Sequence, residues 1–181
     1  EYAQMEVNNP GLKETDAYPA GPDSEYGWEK LFSERLFLAY NRNHNIEVHI
    51  GRFHNIFGPE GTWTGGREKS PAAMCRKVAM AEDGGEVEIS GPVNIGSEEM
   101  VTINQLADLA AKAAGKTIVK KHIDGPLGVR GRNSNNDLVR EKLGWDYSMT
   151  LEEGIAKTYE WVNQQVQQSE EATAPELAGI I

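Results

Sequence analysis

Cysteine is almost missing from this chain of 181 residues, in which Cys75 is the only one. A single cysteine excludes an internal disulfide and makes a reducing cytoplasm the expected compartment. No apolar run approaches the roughly twenty residues needed to span a bilayer, so we expect no membrane partner. The chain also begins without Met and without a charged-then-apolar signal, and we therefore expect a piece of a longer chain.

Basic residues are scarce, with 18 Lys and Arg against 28 Asp and Glu and a formal net charge of −10. A protein that neutralises nucleic-acid phosphates needs a basic face, so we expect no nucleic-acid partner. Arg and Lys do cluster at 67–77 and 130–132, which allows a local pocket for a phosphorylated small molecule. No His, Cys, Asp or Glu grouping has the spacing of metal ligands, and we predict no metal.

Apolar periodicity and turn residues predict strands that alternate with helices, which makes the fold class α/β. Asp23 or Ser24 can cap a first helix that carries Tyr26 to Tyr40. The remaining elements are predicted helices at 70–82, 102–114, 134–143 and 151–167 and predicted strands at 46–50, 86–89, 92–95 and 117–122. From Gln164 onwards the chain is rich in Gln, Glu and Ala, and we expect it to fray.

Tyr26 and Lys30 are four residues apart on the first predicted helix, so they lie on one face, a turn from each other. A lysine ammonium placed there lowers the pKa of the phenol and makes the tyrosine usable as a base near neutral pH. Such a pair normally serves a bound nicotinamide, yet no Gly-x-x-Gly-x-x-Gly loop precedes Tyr26. Alone, the spacing fits a surface tyrosine beside a helix lysine at least as well.

The glycine-punctuated segment 51–69 follows the predicted strand 46–50 at its carboxyl end, where open α/β sheets bind ligands. It offers His54 and Asn55 as hydrogen-bonding groups, and its charged side chains are Arg67, Glu68 and Lys69. The alternative is a connecting loop with solvated charges. We predict that Cys75, on the helix that follows, is buried as a small packing residue.

Five stretches together closely resemble the GDP-mannose 3,5-epimerase branch of the extended short-chain dehydrogenase/reductase superfamily of nucleotide-sugar epimerases and dehydratases. They are residues 26–30, Gly51-Arg-Phe-His-Asn-Ile-Phe-Gly-Pro59, Gly65-Gly-Arg-Glu-Lys69, Pro92-Val-Asn-Ile-Gly-Ser97 and Val129-Arg-Gly-Arg-Asn-Ser134. The resemblance covers residues from about 14 to 164. The Tyr-x-x-x-Lys and Arg-x-x-Asn-x-x-Gly-Pro patterns are shared by the whole superfamily, whereas the Gly-Gly-Arg-Glu-Lys stretch points to this branch.

The resemblance implies an isomerase that uses NAD and acts on GDP-mannose. Tyr26 would take the proton of the sugar 4-hydroxyl while hydride passes to NAD, and Lys30 would hold the cofactor ribose. Lys69 would be one of two acid/base groups that exchange protons at C3 and C5; the other, a cysteine ahead of the tyrosine, is missing here. Other implied contacts are Phe53 and His54 with the cofactor and Asn55, Glu68, Lys77 and Arg132 with the substrate. His54 packing within its loop, and Lys69 and Lys77 as phosphate-binding or solvated charges, stay open as alternatives.

The same resemblance implies part of a Rossmann-type sheet with helices, plus a smaller α/β substrate-binding domain. Residues 1–51 would belong to the former, 52–163 mainly to the latter with some segments returning to the core, and 164–181 to a frayed tail. The branch also implies a homodimer through the tyrosine-bearing helix. This chain departs from it by lacking a glycine-rich pyrophosphate loop ahead of Tyr26 and a further segment after Ile89, so activity of the chain alone is not implied.

The sequence leaves two alternative functions open. The first is another nucleotide-sugar chemistry of the superfamily, a 4-epimerase or a 4,6-dehydratase. The second is a non-catalytic binding or dimerisation module that keeps only the fold.

Overall fold

A computed structural model describes residues 11–22, 24–54, 56–89, 98–124 and 133–178, with side chains of the last helix described to residue 170. After a short 3-10 helix, Glu14–Ala17, these ranges form five helices and two strands. In chain order they are α1 (Glu25–His44), α2 (Ser70–Met80), β1 (Glu86–Ile89), α3 (Ile103–Ala114), β2 (Val119–His122), α4 (Asp137–Leu143) and α5 (Leu151–Ala178).

The two strands pair in parallel, from Glu86 opposite Val119 to Ile89 opposite His122. Parallel strands need a crossover connection, and α3 provides it between β1 and β2. The alternation of helices with parallel strands confirms the α/β class.

The main core lies where α2, α3 and α5 pack together against β1. Its buried side chains include Val78 of α2, Val87 of β1, Leu106 of α3 and Ile155 of α5. On α5 the buried residues recur at 151, 155, 158, 159, 162 and 166, which is one face of a helix. This shared core holds the helix that begins next to Lys69.

Helix boundaries follow the capping signals of the sequence. The Ser24 hydroxyl accepts the Gly27 N–H at 3.3 Å and begins α1. Thr102 and Gln105 form a capping box that begins α3, and Gly115, with φ +63°, ends it. The predicted first helix and the predicted helix 102–114 are thereby confirmed.

The predicted strand 46–50 is wrong, because these residues have no ladder hydrogen bonds in the described structure. Ile46 and Ile50 are 49% and 41% exposed, so their alternation is not matched by burial. A strand needs a neighbouring strand to satisfy its backbone, and none of the described residues supplies one here.

Other boundaries differ by less. Helix α4 begins at Asp137 rather than 134, and α5 continues without a break through Gln164 to Ala178, where we expected fraying. Val166 still packs in the main core, which extends the helix by one buried turn. The predicted strand 92–95 lies outside the described residues. Within the described ranges, no helix is both long and apolar enough to cross a membrane.

Candidate functional site

Tyr26 and Lys30 lie next to each other on α1, as their spacing predicts. The Lys30 ammonium is 5.0 Å from the centroid of the Tyr26 ring and 3.2 Å from Glu29 Oε1. Tyr26 is 68% exposed, and its hydroxyl makes no hydrogen bond to another described residue. The phenol is therefore open to a ligand on this face of α1.

An ion pair fastens the start of segment 51–69 to α1. Arg52 donates from Nε and Nη2 to the two Glu34 carboxylate oxygens at 2.8 and 2.6 Å, and from Nη1 to the Glu14 carbonyl at 2.7 Å. Both side chains are largely buried, at 16% exposure for Arg52 and 9% for Glu34. Glu34 follows Lys30 by four residues, on the same helical face. Arg52 thus joins the Tyr26 helix to the loop that follows it.

The same segment continues onto the main core. Phe57 and Trp63 pack against the core cluster, and Phe57 also lies close to Gly154 of α5. Between these anchors Phe53 is 84% exposed, whereas His54 is half-buried. Segment 51–69 therefore connects α1 with the main core while leaving the Phe53 ring open to solvent.

Glu68 and Lys69 lie directly at the start of α2. Gly65 and Gly66 have φ angles of +91° and +81°, a left-handed turn that leads into them. Arg76 of α2 donates to Glu68 Oε1 at 3.0 Å and to the Trp63 carbonyl at 3.1 Å. Nearby backbone N–H groups of Glu68 itself and of Gly66, together with the Arg76 side chain, hold the pKa of the Glu68 carboxyl below its usual value, against the opposing effect of burial. Lys69 occupies the cap position of α2 with an exposed side chain.

Lys77 lies on the outer face of α2 and donates from Nζ to the Glu88 carbonyl at 2.7 Å. Together with Arg76 and the residues of β1 from 86 to 88, it lines an open cavity of about 300 Å³. That volume is at the lower end of the range of small-molecule sites. The carboxylates of Glu86 and Glu88 line the same cavity, so its charged side chains are of both signs.

Cys75 is fully buried, which confirms its predicted packing position. Its thiol is 3.9 Å from the Ile155 carbonyl, and burial raises its pKa to about 12. A thiol that stays protonated is not a nucleophile or base at neutral pH.

The predicted site residues fall into two groups. Tyr26 and Lys30 form one on α1, and Glu68, Lys69 and Lys77 form the other around α2; no hydrogen bond or ion pair links the two groups among the described residues. Asn55 and Arg132 lie outside the described residues. In the described part of the chain, no cluster of three or more His, Cys, Asp or Glu side chains is placed to hold a metal.

The partners that position these groups, Arg76 and the Arg52–Glu34 pair, were not predicted from the sequence. The four-residue spacing of Tyr26, Lys30 and Glu34 was a signal that Glu34 shares their helical face. Glycines with the Gly-x-x-Gly-x-x-Gly spacing do occur further along the chain, at Gly125, Gly128 and Gly131. They lie after β2, outside the described residues.

The fold is that of nucleotide-sugar epimerases. The structure of Thermus thermophilus UDP-glucose 4-epimerase in complex with NAD superposes with a TM-score of 0.72, covering 89% of this chain and 60% of that chain. The sequence identity of 19% makes this a likeness of fold alone. It places the α/β elements in a partial Rossmann-type fold.

The chain belongs to the NAD dependent epimerase/dehydratase family, whose model matches residues 1–116. GDP-mannose 3,5-epimerase of Arabidopsis thaliana is 45% identical, over 92% of this chain and 51% of that protein. GDP-mannose 3,5-epimerase 1 of Oryza sativa subsp. indica is 42% identical, over 99% of this chain and 54% of that protein. The chain thus spans about half the length of these relatives. The Arabidopsis match extends over 193 residues, so that enzyme has residues within the matched region that this chain of 181 lacks.

Proposed function

We propose that this chain carries the tyrosine-bearing helix and the substrate-binding part of an NAD-dependent GDP-mannose 3,5-epimerase. The observation that carries the proposal is 45% identity to the Arabidopsis enzyme over 92% of this chain. Two features support it. The exposed Tyr26–Lys30 pair has groups suited to oxidation at C4. The Glu68–Lys69 stretch at the start of α2 has groups suited to proton exchange at C3 and C5. We also propose that residues 1–51 belong to the cofactor-binding domain, residues 52–163 mainly to the substrate-binding domain and residues 164–181 to a tail.

Tyr26 is the proposed base for the sugar 4-hydroxyl. As a phenolate, the exposed Tyr26 side chain would accept that proton, and the Lys30 ammonium lies 5.0 Å from the centroid of its ring. When bound, NAD would supply the acceptor and later the donor of the C4 hydride. Lys30 and the exposed ring of Phe53 are proposed to hold the ribose and nicotinamide end of the cofactor, and His54, the next residue after Phe53, is a third proposed contact.

These residues fit only that end of NAD. A pyrophosphate needs backbone N–H groups from a glycine-rich turn at a helix start. Among the described residues, α1 begins at the Ser24 cap instead, and α2 begins at Lys69 and Pro71. The described residues therefore offer no such turn to the pyrophosphate.

Lys69 is proposed as one of the two acid/base groups that exchange protons at C3 and C5; the family resemblance puts the other, a cysteine, ahead of the tyrosine. Oxidation at C4 makes the neighbouring hydrogens acidic, because the resulting carbanions are stabilised as enolates. An exposed lysine at the cap of α2 is free to reach a sugar lying over the helix start. Glu68, Lys77, Asn55 and Arg132 are the proposed contacts with the GDP-sugar, the cationic ones with its diphosphate.

A homodimer through α1 and a cytoplasmic location complete the proposal. Exposed apolar side chains on α1, among them Trp28, Phe32, Phe37 and Tyr40, support an interface there. The single buried thiol of Cys75 is compatible with a reducing compartment.

The test uses the longest reading frame that contains this sequence, incubated with GDP-mannose and NAD in deuterated water. We expect deuterium at C3 and C5 of the sugar. Inversion at C4 without such exchange would point to a 4-epimerase, and elimination of water across C5–C6 of a 4-keto sugar would point to a 4,6-dehydratase. Calorimetric titration of the 181-residue chain with GDP-mannose and with NAD tests the remaining alternative, since a non-catalytic module that binds neither would contradict the proposal for this chain.

Replacing Tyr26 by Phe removes the proposed base and leaves the ring. We expect Tyr26→Phe to lower turnover by at least about 100-fold, the usual effect of losing a general base, with GDP-mannose affinity retained. Tyr40→Phe is the matched control, since Tyr40 is an exposed tyrosine on the same helix. Normal turnover by Tyr26→Phe would overturn the role of Tyr26.

A further inference from the structure

Arg76 makes two contacts that hold the loop before α2 in place. Its Nη2 is 3.0 Å from Glu68 Oε1, and its Nε is 3.1 Å from the Trp63 carbonyl oxygen. The guanidinium is only 25% exposed, so these bonds are partly shielded from water. A planar guanidinium can make both bonds at once, because its donors point in fixed directions.

The Glu68 carboxylate is left with one unused oxygen. Its side chain is 8% exposed, and among the described residues Oε2 is buried without any donor in hydrogen-bond geometry. Buried carboxylate oxygens nearly always accept a hydrogen bond, since an unpaired one costs the desolvation of that atom. The unpaired Oε2 is therefore an acceptor available to a donor from outside the described chain, a water molecule or a ligand group.

The position of Glu68 makes this donor a ligand group. Glu68 directly precedes Lys69, the cap residue of α2, and Arg76 also lines the open cavity shared with Lys77. An ionised carboxylate accepts hydrogen bonds and donates none, so its partner must be an N–H or O–H group.

We infer that Arg76 is a positioning residue of the proposed nucleotide-sugar site, an inference that rests on the function proposed above. Arg76 holds Glu68 by Oε1 and presents Oε2 as a single acceptor to an N–H or O–H group of the nucleotide sugar. The bond to the Trp63 carbonyl keeps the loop from shifting, and the backbone of neighbouring Lys69 is held with it. Arg76 itself acts through Glu68 rather than on the reacting atoms.

The test measures GDP-mannose affinity by calorimetry for the unaltered chain and for Arg76→Met, Glu68→Gln and the double variant. Each single variant is expected to weaken binding by at least about tenfold, as for a lost hydrogen bond to a charged group. The double variant should be no worse than Glu68→Gln, because both changes remove the same contact. Arg76→Lys keeps the charge but not the two-point geometry, so we expect an intermediate loss and a folded chain.

Arg140→Met is the matched control. Arg140 binds Glu98 and Asp146 through two ion pairs of 2.8 Å, away from α2, so its loss should lower the melting temperature and leave the affinity unchanged. If the Arg76 variants have a lower melting temperature but the same affinity for GDP-mannose as the unaltered chain, Arg76 has only a structural role. That result would overturn the inference. Failure of the unaltered chain to bind would instead overturn the proposed function, and the inference with it.

Steady-state kinetics of the protein encoded by the longest reading frame provide a second measurement. Arg76→Met should raise KM with kcat nearly unchanged, since it affects binding, whereas Lys69→Met should lower kcat. A fall in kcat alone for Arg76→Met would contradict the positioning role.

Discussion

Lys116 stabilises a helix to which it does not belong. Its ammonium donates to the carbonyls of Val78, Ala79 and Ala81 at 3.2, 3.1 and 2.7 Å, at the end of α2. These are carbonyls that the helix cannot satisfy internally, and a cation there also complements the helix dipole. Lys116 therefore holds the carboxyl end of the helix whose amino end carries Glu68 and Lys69.

Lys116→Met should lower the free energy of unfolding by about 1 to 2 kcal/mol, because three carbonyls lose a charged donor. Lys112→Met, four residues earlier, is the control: Lys112 is exposed and pairs with Glu152 at 2.6 Å. Exposed pairs of this kind contribute less than about 1 kcal/mol. Urea denaturation of both variants measures the difference. Equal effects would show that Lys116 is no more than a surface charge.

At the scale of elements, α5 is the helix on which the main core is assembled. It packs against both α2 and α3, and its buried face includes Ile155 and Val162, both fully buried. Its central position explains why α2 and α3 face each other in a fixed geometry. Interiors are close-packed, so a missing side chain on this face leaves a cavity.

Ile155→Ala is expected to destabilise the chain by about 2 to 5 kcal/mol, the usual cost of a large-to-small change in a core. Gln164→Ala on the exposed face of the same helix should change stability by less than about 0.5 kcal/mol. Thermal and urea unfolding of the two variants provides the measurement. Similar small losses in both would indicate that the helices pack loosely around α5.

At the scale of the whole molecule, α1 lies outside the main core cluster. The Arg52–Glu34 ion pair connects it with segment 51–69, which in turn packs on the core through Phe57 and Trp63. The proposed cofactor end and the proposed substrate end of the site thus belong to parts of the molecule that this segment joins.

Arg52→Met leaves Glu34 as a buried, uncompensated charge, at a cost of about 3 kcal/mol or more. We expect hydrogen exchange of α1 amides to accelerate accordingly, while amides of α3 and α5 keep their protection. Arg35→Met is the control on the same helix, since Arg35 is exposed and only donates to the Tyr18 hydroxyl at 3.3 Å. Uniform loss of protection across all helices would contradict a local role for the pair.

Local features were predictable because they depend on near neighbours in the chain. Ser24 caps a helix through the Gly27 N–H three residues on, and Gly115 ends one through its own φ angle. The predicted strand 46–50 failed for the opposite reason. Alternation alone does not make a strand, because its hydrogen bonds must come from another segment.

The sequence by itself determined the α/β class, the caps that begin α1 and α3 and the family resemblance. It also determined that Tyr26 and Lys30 share a face, because helical geometry brings residues four apart together. Only the tertiary structure decided which charges pair with which. Arg52 with Glu34 and Lys116 with the end of α2 join residues far apart in the chain, and Arg76 bound Glu68 rather than solvent. Such pairs form only when the elements pack in a particular arrangement. That arrangement depends on many weak contacts between residues far apart in the chain, so a local sequence pattern does not predict it.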